Sequence, residues 1–254
     1  MNKEQNRPLR KGVYILPNLL TTAGLFLGFL GLLWAVAGRF EACAMAVLAA
    51  ALFDGLDGKI ARLTKSDSDF GVQYDSLADL VAFGVTPAVM IYLWKLSEFG
   101  RLGLTASFLL VVCGALRLAR FNVQVGDGSK KFFVGLPIPA AGCTLATLIL
   151  FTPFVPESLN PVLPAACLVL VYALSFLMVS RIRYASFKEY GLIKAHPFSS
   201  MVTAILLFVL VASQPKLLGF LILFGYLVSG PVYTYYLLLR RPSLLREHPK
   251  RADT

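Results

Sequence analysis

Apolar stretches long enough to cross a bilayer follow one another along almost the whole chain. They fall at roughly 17–37, 40–63, 69–95, 102–123, 136–154, 161–180, 198–214 and 216–239. A span needs about 20 mostly apolar residues. In lipid, backbone amides and carbonyls must pair within the segment, so repeated runs of this length predict a bundle of transmembrane helices. Eight runs in 254 residues leave little chain for a domain outside the membrane. Composition agrees. Charged residues make up 15% of the chain, where a soluble domain carries about 25%, and the mean hydropathy is +0.71. Disorder, a collagen-like fibre and a disulfide scaffold are excluded. Cys43, Cys113, Cys143 and Cys167 all lie in apolar stretches, with no CxxC pair and no Cys/His metal spacing, and read as small buried residues.

The charge pattern orients the bundle. With eight spans and a cytoplasmic N-terminus, twenty Lys and Arg fall on the cytoplasmic side. The opposite side receives four: Arg39, Lys95, Arg101 and Lys216. That asymmetry is the positive-inside pattern. It accounts for a net charge of +10 without a nucleic-acid partner. The expected organisation is one integral-membrane domain, 1–254, in the cytoplasmic membrane. A basic segment, 1–14, and a basic tail, 240–254, lie on the cytoplasmic side.

The acids are distributed unevenly. Of eight aspartates, six lie between 54 and 79. Asp54, Asp57, Gly58, Ala61 and Arg62 share one stripe of a helix, and Gly71, Asp75 and Asp79 share a stripe of the next. The short polar connection between the helices makes them antiparallel neighbours, so the stripes can face each other. Four carboxylates then converge near the cytoplasmic surface. Carboxylates at membrane depth are costly unless paired or wetted. Lys59 and Arg62 are too few to hold them, and a divalent cation fits better. Oxygen donors without His or Cys favour Mg²⁺, Mn²⁺ or Ca²⁺ over zinc. Four carboxylates can hold two such ions, the arrangement that clamps attacking and leaving oxygens in phosphoryl transfer. Gly58, Ala61 and Gly71 would keep the cleft open for a phosphate, or serve helix packing.

The same residues spell Asp54-Gly-Leu-Asp57-Gly58-Lys-Ile-Ala61-Arg62, eight residues, Gly71, three residues, Asp75, three residues, Asp79. This resembles the DxxDGxxARx8GxxxDxxxD signature of the CDP-alcohol phosphatidyltransferases. Leu16-Pro17-Asn18-Leu-Leu-Thr21, Arg117-Leu-Ala-Arg120-Phe121-Asn122 and Gly135-Leu-Pro137-Ile-Pro139 resemble the integral-membrane phosphatidylserine synthases within that family. The resemblance covers roughly residues 12–145. It implies an all-α membrane bundle of about eight helices with a six-helix catalytic core, and a homodimer. It also implies Mg²⁺ or Mn²⁺, two ions per active site. Asp54, Asp57 and Asp75 would be ligands, and Asp79 both a ligand of the second ion and the general base. Gly58, Ala61, Arg62 and Gly71 would contact the CDP moiety of CDP-diacylglycerol, with Asn18 and Thr21 nearby.

The acceptor is less constrained. L-serine carries a carboxylate, which arginine recognises well. Arg117 and Arg120, with Asn122, are therefore candidates for binding serine or a substrate phosphate. Snorkelling at a helix end is the other reading of both arginines. Glycerol 3-phosphate, inositol phosphate or choline would be acceptors for the same chemistry. A divalent-cation transporter is the alternative of a different class, although acids clustered at one face do not trace a path across a membrane. His196, the turn at Gly126-Asp127-Gly128 and the pair Lys130 and Lys131 carry no required role.

Overall fold

A computed structural model describes residues 15–64, 68–124, 133–184 and 214–240, without the side chains of 62, 124, 133, 134, 183 and 236–240. The expected span at 198–214 lies outside this set, save for its last residue. So do segment 1–14, nearly all of the 240–254 tail, His196, the 126–128 turn and the two lysines that follow it.

The chain is a helical membrane protein. Helix α1 runs Ile15–Val36, α2 Phe40–Thr64 and α3 Asp69–Asp79. A π-helical turn, Leu80–Val85, joins α3 directly to α4, Thr86–Trp94. Then follow α5 (Arg101–Gln124), α6 (Ile138–Phe151), α7 (Leu163–Val179) and α8 (Pro215–Arg240). Two-residue strands, β1 (Phe133–Val134) and β2 (Arg183–Tyr184), pair antiparallel between α5 and α8. Among the described residues, four stretches are long and apolar enough to cross a membrane: 15–36, 69–94, 101–123 and 215–235. Helix α2 has the length, but its second half carries Asp54, Asp57, Lys59 and Arg62. Helices α6 and α7 have 14 and 17 residues, shorter than the spans expected at 136–154 and 161–180. Pro153, Pro156 and Pro161 explain the difference. They turn the chain into short 3₁₀ segments between the two helices.

Helices α1 and α2 form a tight hairpin. Gly38 takes a left-handed conformation, φ 74°. Its amide bonds Ala35 O at 3.0 Å, and the Arg39 amide bonds Trp34 O at 2.8 Å. This is a Schellman cap, which ends α1 and reverses the chain in two residues. On α1, Gly24, Gly28 and Gly31 form a buried stripe. A Cβ at Gly28 would lie 2.8 Å from Ala82 Cα. Thr86 donates its hydroxyl to Gly28 O at 2.9 Å. Close packing through small residues therefore occurs on α1, against the π turn and α4.

The π turn has a local cause. Pro87 has no amide, and its ring would strike the carbonyl four residues earlier, that of Phe83. The preceding turn widens instead, and the Thr86 amide bonds Val81 O. The Phe83 carbonyl meets α6 at Gly142, where a Cβ would lie 2.8 Å from it. At the other side of the bundle, Tyr184 anchors α8. Its ring is fully buried, its hydroxyl donates to Leu227 O at 3.3 Å, and Gly230 leaves room for the ring. Phe151 of α6 stacks on Phe220 of α8, with centroids 4.8 Å apart.

Candidate active site

Helices α2 and α3 bring their acidic stripes together. One carboxylate oxygen from each of Asp54, Asp57 and Asp75 lies within 4.8 Å of the others. At an effective dielectric of about 20, two full charges at that separation repel by roughly 3–4 kcal/mol. Among the described residues, no Lys or Arg forms an ion pair with them. Asp57 is 5% exposed, and its Oδ2 accepts a 2.8 Å hydrogen bond from the Thr21 hydroxyl on α1. Asp79, one turn beyond Asp75, lines the same cleft. Its oxygens fall outside the 4.8 Å group, and all four acids of the expected convergence line this one cleft. The free space between the side chains is about 10 Å³, close to what one water-sized guest needs. Hard oxygen donors without an ion-pair partner among the described residues fit a divalent cation.

A larger ligand must approach from the mouth of this cleft. At Gly58, beside Asp57, a Cβ would meet nothing within 4 Å. Ala61, nearly one turn on, is half-buried. The Arg62 side chain lies outside the described atoms. Gly71 is more enclosed, for a Cβ there would lie 3.1 Å from Ser68 Oγ and 3.6 Å from Asn18 Oδ1. Ser68 caps α3 by accepting the Gly71 amide at 3.0 Å. Asn18 thus sits at the α3 N-terminus, while Thr21 reaches the carboxylates. Thr22 and Tyr74, 2.9 Å apart, latch α1 to α3 beside it. Sequence reasoning missed that pair and the Ser68 cap. Serine directly before Asp69, an acidic first-turn residue, was a readable cap signal. The Thr22–Tyr74 contact had no local signal.

The three candidates on α5 part company. Arg117 is 9% exposed. Its Nε has no hydrogen-bond partner among the described residues, and it lies within electrostatic reach of Asp79 and of Tyr226 on α8. Arg120 instead donates to Val179 O at 3.2 Å, fastening the end of α7. Asn122 donates to Gln73 Oε1 and to Ser76 Oγ, both at 3.0 Å, and so ties α5 to α3. The approach of Tyr226 to Arg117 depends on how Tyr184 docks α8, and the two tyrosine rings lie 5.4 Å apart.

The model of the CDP-alcohol phosphatidyltransferase family matches residues 14–173. The chain is 40% identical over 177 residues to the CDP-diacylglycerol–serine O-phosphatidyltransferase of Helicobacter pylori, covering 70% of this chain and 74% of that one. It is 41% identical over 171 residues to the archaetidylserine synthase of Methanothermobacter thermautotrophicus, covering 66% and 69%. The CDP-diacylglycerol–serine O-phosphatidyltransferase of Bacillus subtilis is 32% identical over 176 residues, covering 69% and 93%.

Proposed function

The chain belongs to the CDP-alcohol phosphatidyltransferase family, and from that premise we propose that it transfers the phosphatidyl group of CDP-diacylglycerol to the hydroxyl of L-serine, giving phosphatidylserine and CMP. The observation that carries this reading is the carboxylate triad, without an ion-pair partner among the described residues, beside Gly58, where a Cβ meets no described atom within 4 Å. The names of the serine-using relatives favour the acceptor.

Asp54, Asp57 and Asp75 would hold Mg²⁺ or Mn²⁺, two ions per site, with Asp79 as a ligand of the second. Such ions would supply positive charge for the pyrophosphate and for departing CMP. Thr21 fixes the Asp57 carboxylate in its ligating orientation. Gly58, Ala61, Arg62 and Gly71 admit the CDP moiety along the helix backbones, with Asn18 beside Gly71. Asp79 takes the proton of the serine hydroxyl at a carboxylate oxygen. The serine oxygen–phosphorus bond forms as the phosphorus–oxygen bond to CMP breaks. The buried Arg117, with an unpaired Nε, meets the serine carboxylate. A six-helix catalytic core within about eight spans, a homodimer, and a site open to the cytoplasm complete the proposal.

The test is CMP release by the protein in detergent with CDP-diacylglycerol and Mg²⁺ or Mn²⁺. L-serine, glycerol 3-phosphate, inositol phosphate and choline are supplied in parallel. Release is expected with serine alone, and is lost in Asp79→Asn. Release with another acceptor would overturn the serine assignment. Divalent-cation flux into vesicles without CMP release would overturn the enzymatic one. For Arg117, alanine should raise the serine KM while leaving the KM for CDP-diacylglycerol near its original value. An unchanged serine KM would remove that residue from the acceptor site.

A further inference from the structure

Helix α3 carries two of the four acids, Asp75 and Asp79, on only 11 residues. Little of its surface is buried in the bundle. Ala78 is its one buried residue, and Phe70 and Leu77 are 70% and 64% exposed. The Ser68 cap closes on the Gly71 amide of the same helix and fastens α3 to no neighbour. The direction in which α3 aims its carboxylates therefore depends on side-chain ties to the helices beside it.

Such ties are present on two flanks. On one, the Tyr74 hydroxyl meets that of Thr22 on α1 at 2.9 Å. On the other, Asn122 of α5 donates both amide protons, to Gln73 Oε1 and to Ser76 Oγ, each at 3.0 Å. The Ser76 hydroxyl, 3.0 Å from Val72 O, is also 3.3 Å from Asn122 Oδ1. Successive residues stand about 100° apart around a helix. Tyr74 and Ser76 therefore bracket Asp75, one residue before it and one after. A helix fastened on one flank can turn about its axis, and one fastened on both is held. A carboxylate stands about 5 Å from the helix axis. A rotation of about 15° then moves it by more than the roughly 0.5 Å that a working site tolerates.

We infer that Asn122 is a positioning residue for the metal-binding acids: its carboxamide sets the rotation of α3, and with it the aim of Asp75 and Asp79. Both amide protons are committed to α3, so this role is distinct from contact with serine. The inference rests on the proposed metal site, and it assigns to α5 a part in building that site although α5 supplies none of the carboxylates.

The test compares Mn²⁺ binding by the full chain and by Asn122→Leu, a replacement of similar volume without hydrogen-bonding groups. Both are purified in detergent, and free Mn²⁺ is followed by electron paramagnetic resonance. The serine KM is read at saturating Mn²⁺. Direct partners of a metal ligand are worth about 10–100-fold in affinity. Asn122 acts one step further out, so the Mn²⁺ dissociation constant should rise by about tenfold, with the serine KM unchanged. Ser76→Ala should raise it by about threefold, and should add nothing in the Asn122→Leu background. Unchanged Mn²⁺ binding in Asn122→Leu would overturn the inference. With a raised serine KM, that result would make Asn122 an acceptor ligand. With a lowered melting temperature, it would make Asn122 a structural tie alone. If the unsubstituted chain binds no Mn²⁺, the metal reading itself falls. If circular dichroism shows Asn122→Leu unfolded, Ser76→Ala is read by itself, and undiminished Mn²⁺ binding there counts against the inference.

Discussion

At one end of α2, Asp54 and Asp57 stand with Asp75 of α3 inside a 4.8 Å sphere and lack a cationic partner among the described residues. At its other end, Arg39 stands over the Trp34 ring, and Lys95, just beyond α4, stands over that of Trp94. Both ends concentrate one sign of charge, but they hold it differently. Asp57 is buried, Asp54 and Asp75 are half-buried, and the three stand close, so their mutual repulsion acts against the fold unless a cation offsets it. The cations are spread over separate elements and rest on aromatic faces, so they are stable as they stand. The first arrangement could hold a metal, and the second needs no ligand.

The sharpest way to break the comparison is to remove one carboxylate. Asp57→Asn should lower CMP release by about a thousandfold and abolish tight Mn²⁺ binding followed by electron paramagnetic resonance. Bound Mn²⁺ unchanged in that variant would mean that the triad is not the metal site. A smaller loss is expected from Thr21→Val, which keeps the shape and removes the 2.8 Å bond to Asp57. Partners that orient a metal ligand are typically worth 10–100-fold in metal affinity, so the metal concentration for half-maximal activity should rise by about that factor. Gly58→Ala comes next. Its new methyl group meets no described atom within 4 Å, so melting temperature should hold while the KM for CDP-diacylglycerol rises by about tenfold. A fall in melting temperature with KM unchanged would assign Gly58 to packing. The smallest effect belongs to Arg120→Ala. It removes one hydrogen bond to Val179 O and should cost about 1 kcal/mol of stability without moving the serine KM.

These residues also mark how far the sequence could be read. The facing acidic stripes were legible because helical spacing sets which residues share a face, and a short connection sets which helices are neighbours. The shift of Asp79 out of the triad follows from the same geometry, since four residues along a helix advance it by about 6 Å. What the sequence did not disclose depends on contacts distant along the chain. Thr21 meets Asp57, Thr22 meets Tyr74, and Thr86 meets Gly28, and no local pattern announces such pairs. Arg117 and Arg120 looked equivalent at a spacing of three. Their separation, one toward Asp79 and one toward the end of α7, is set by where α7 and α8 pack. The π turn was encoded by Pro87, but its register needed the Gly142 contact to be seen.

The central claim is that the hydroxyl oxygen of serine forms the new bond to the phosphorus of the donor lipid and CMP leaves with its own phosphate oxygens. It is tested most directly with L-serine carrying ¹⁸O in its side-chain hydroxyl, incubated with CDP-diacylglycerol, metal and the purified protein, and followed by mass spectrometry of both products. The account predicts that phosphatidylserine carries the label and CMP does not. Label in CMP, or phosphatidylserine formed without it, would contradict the account.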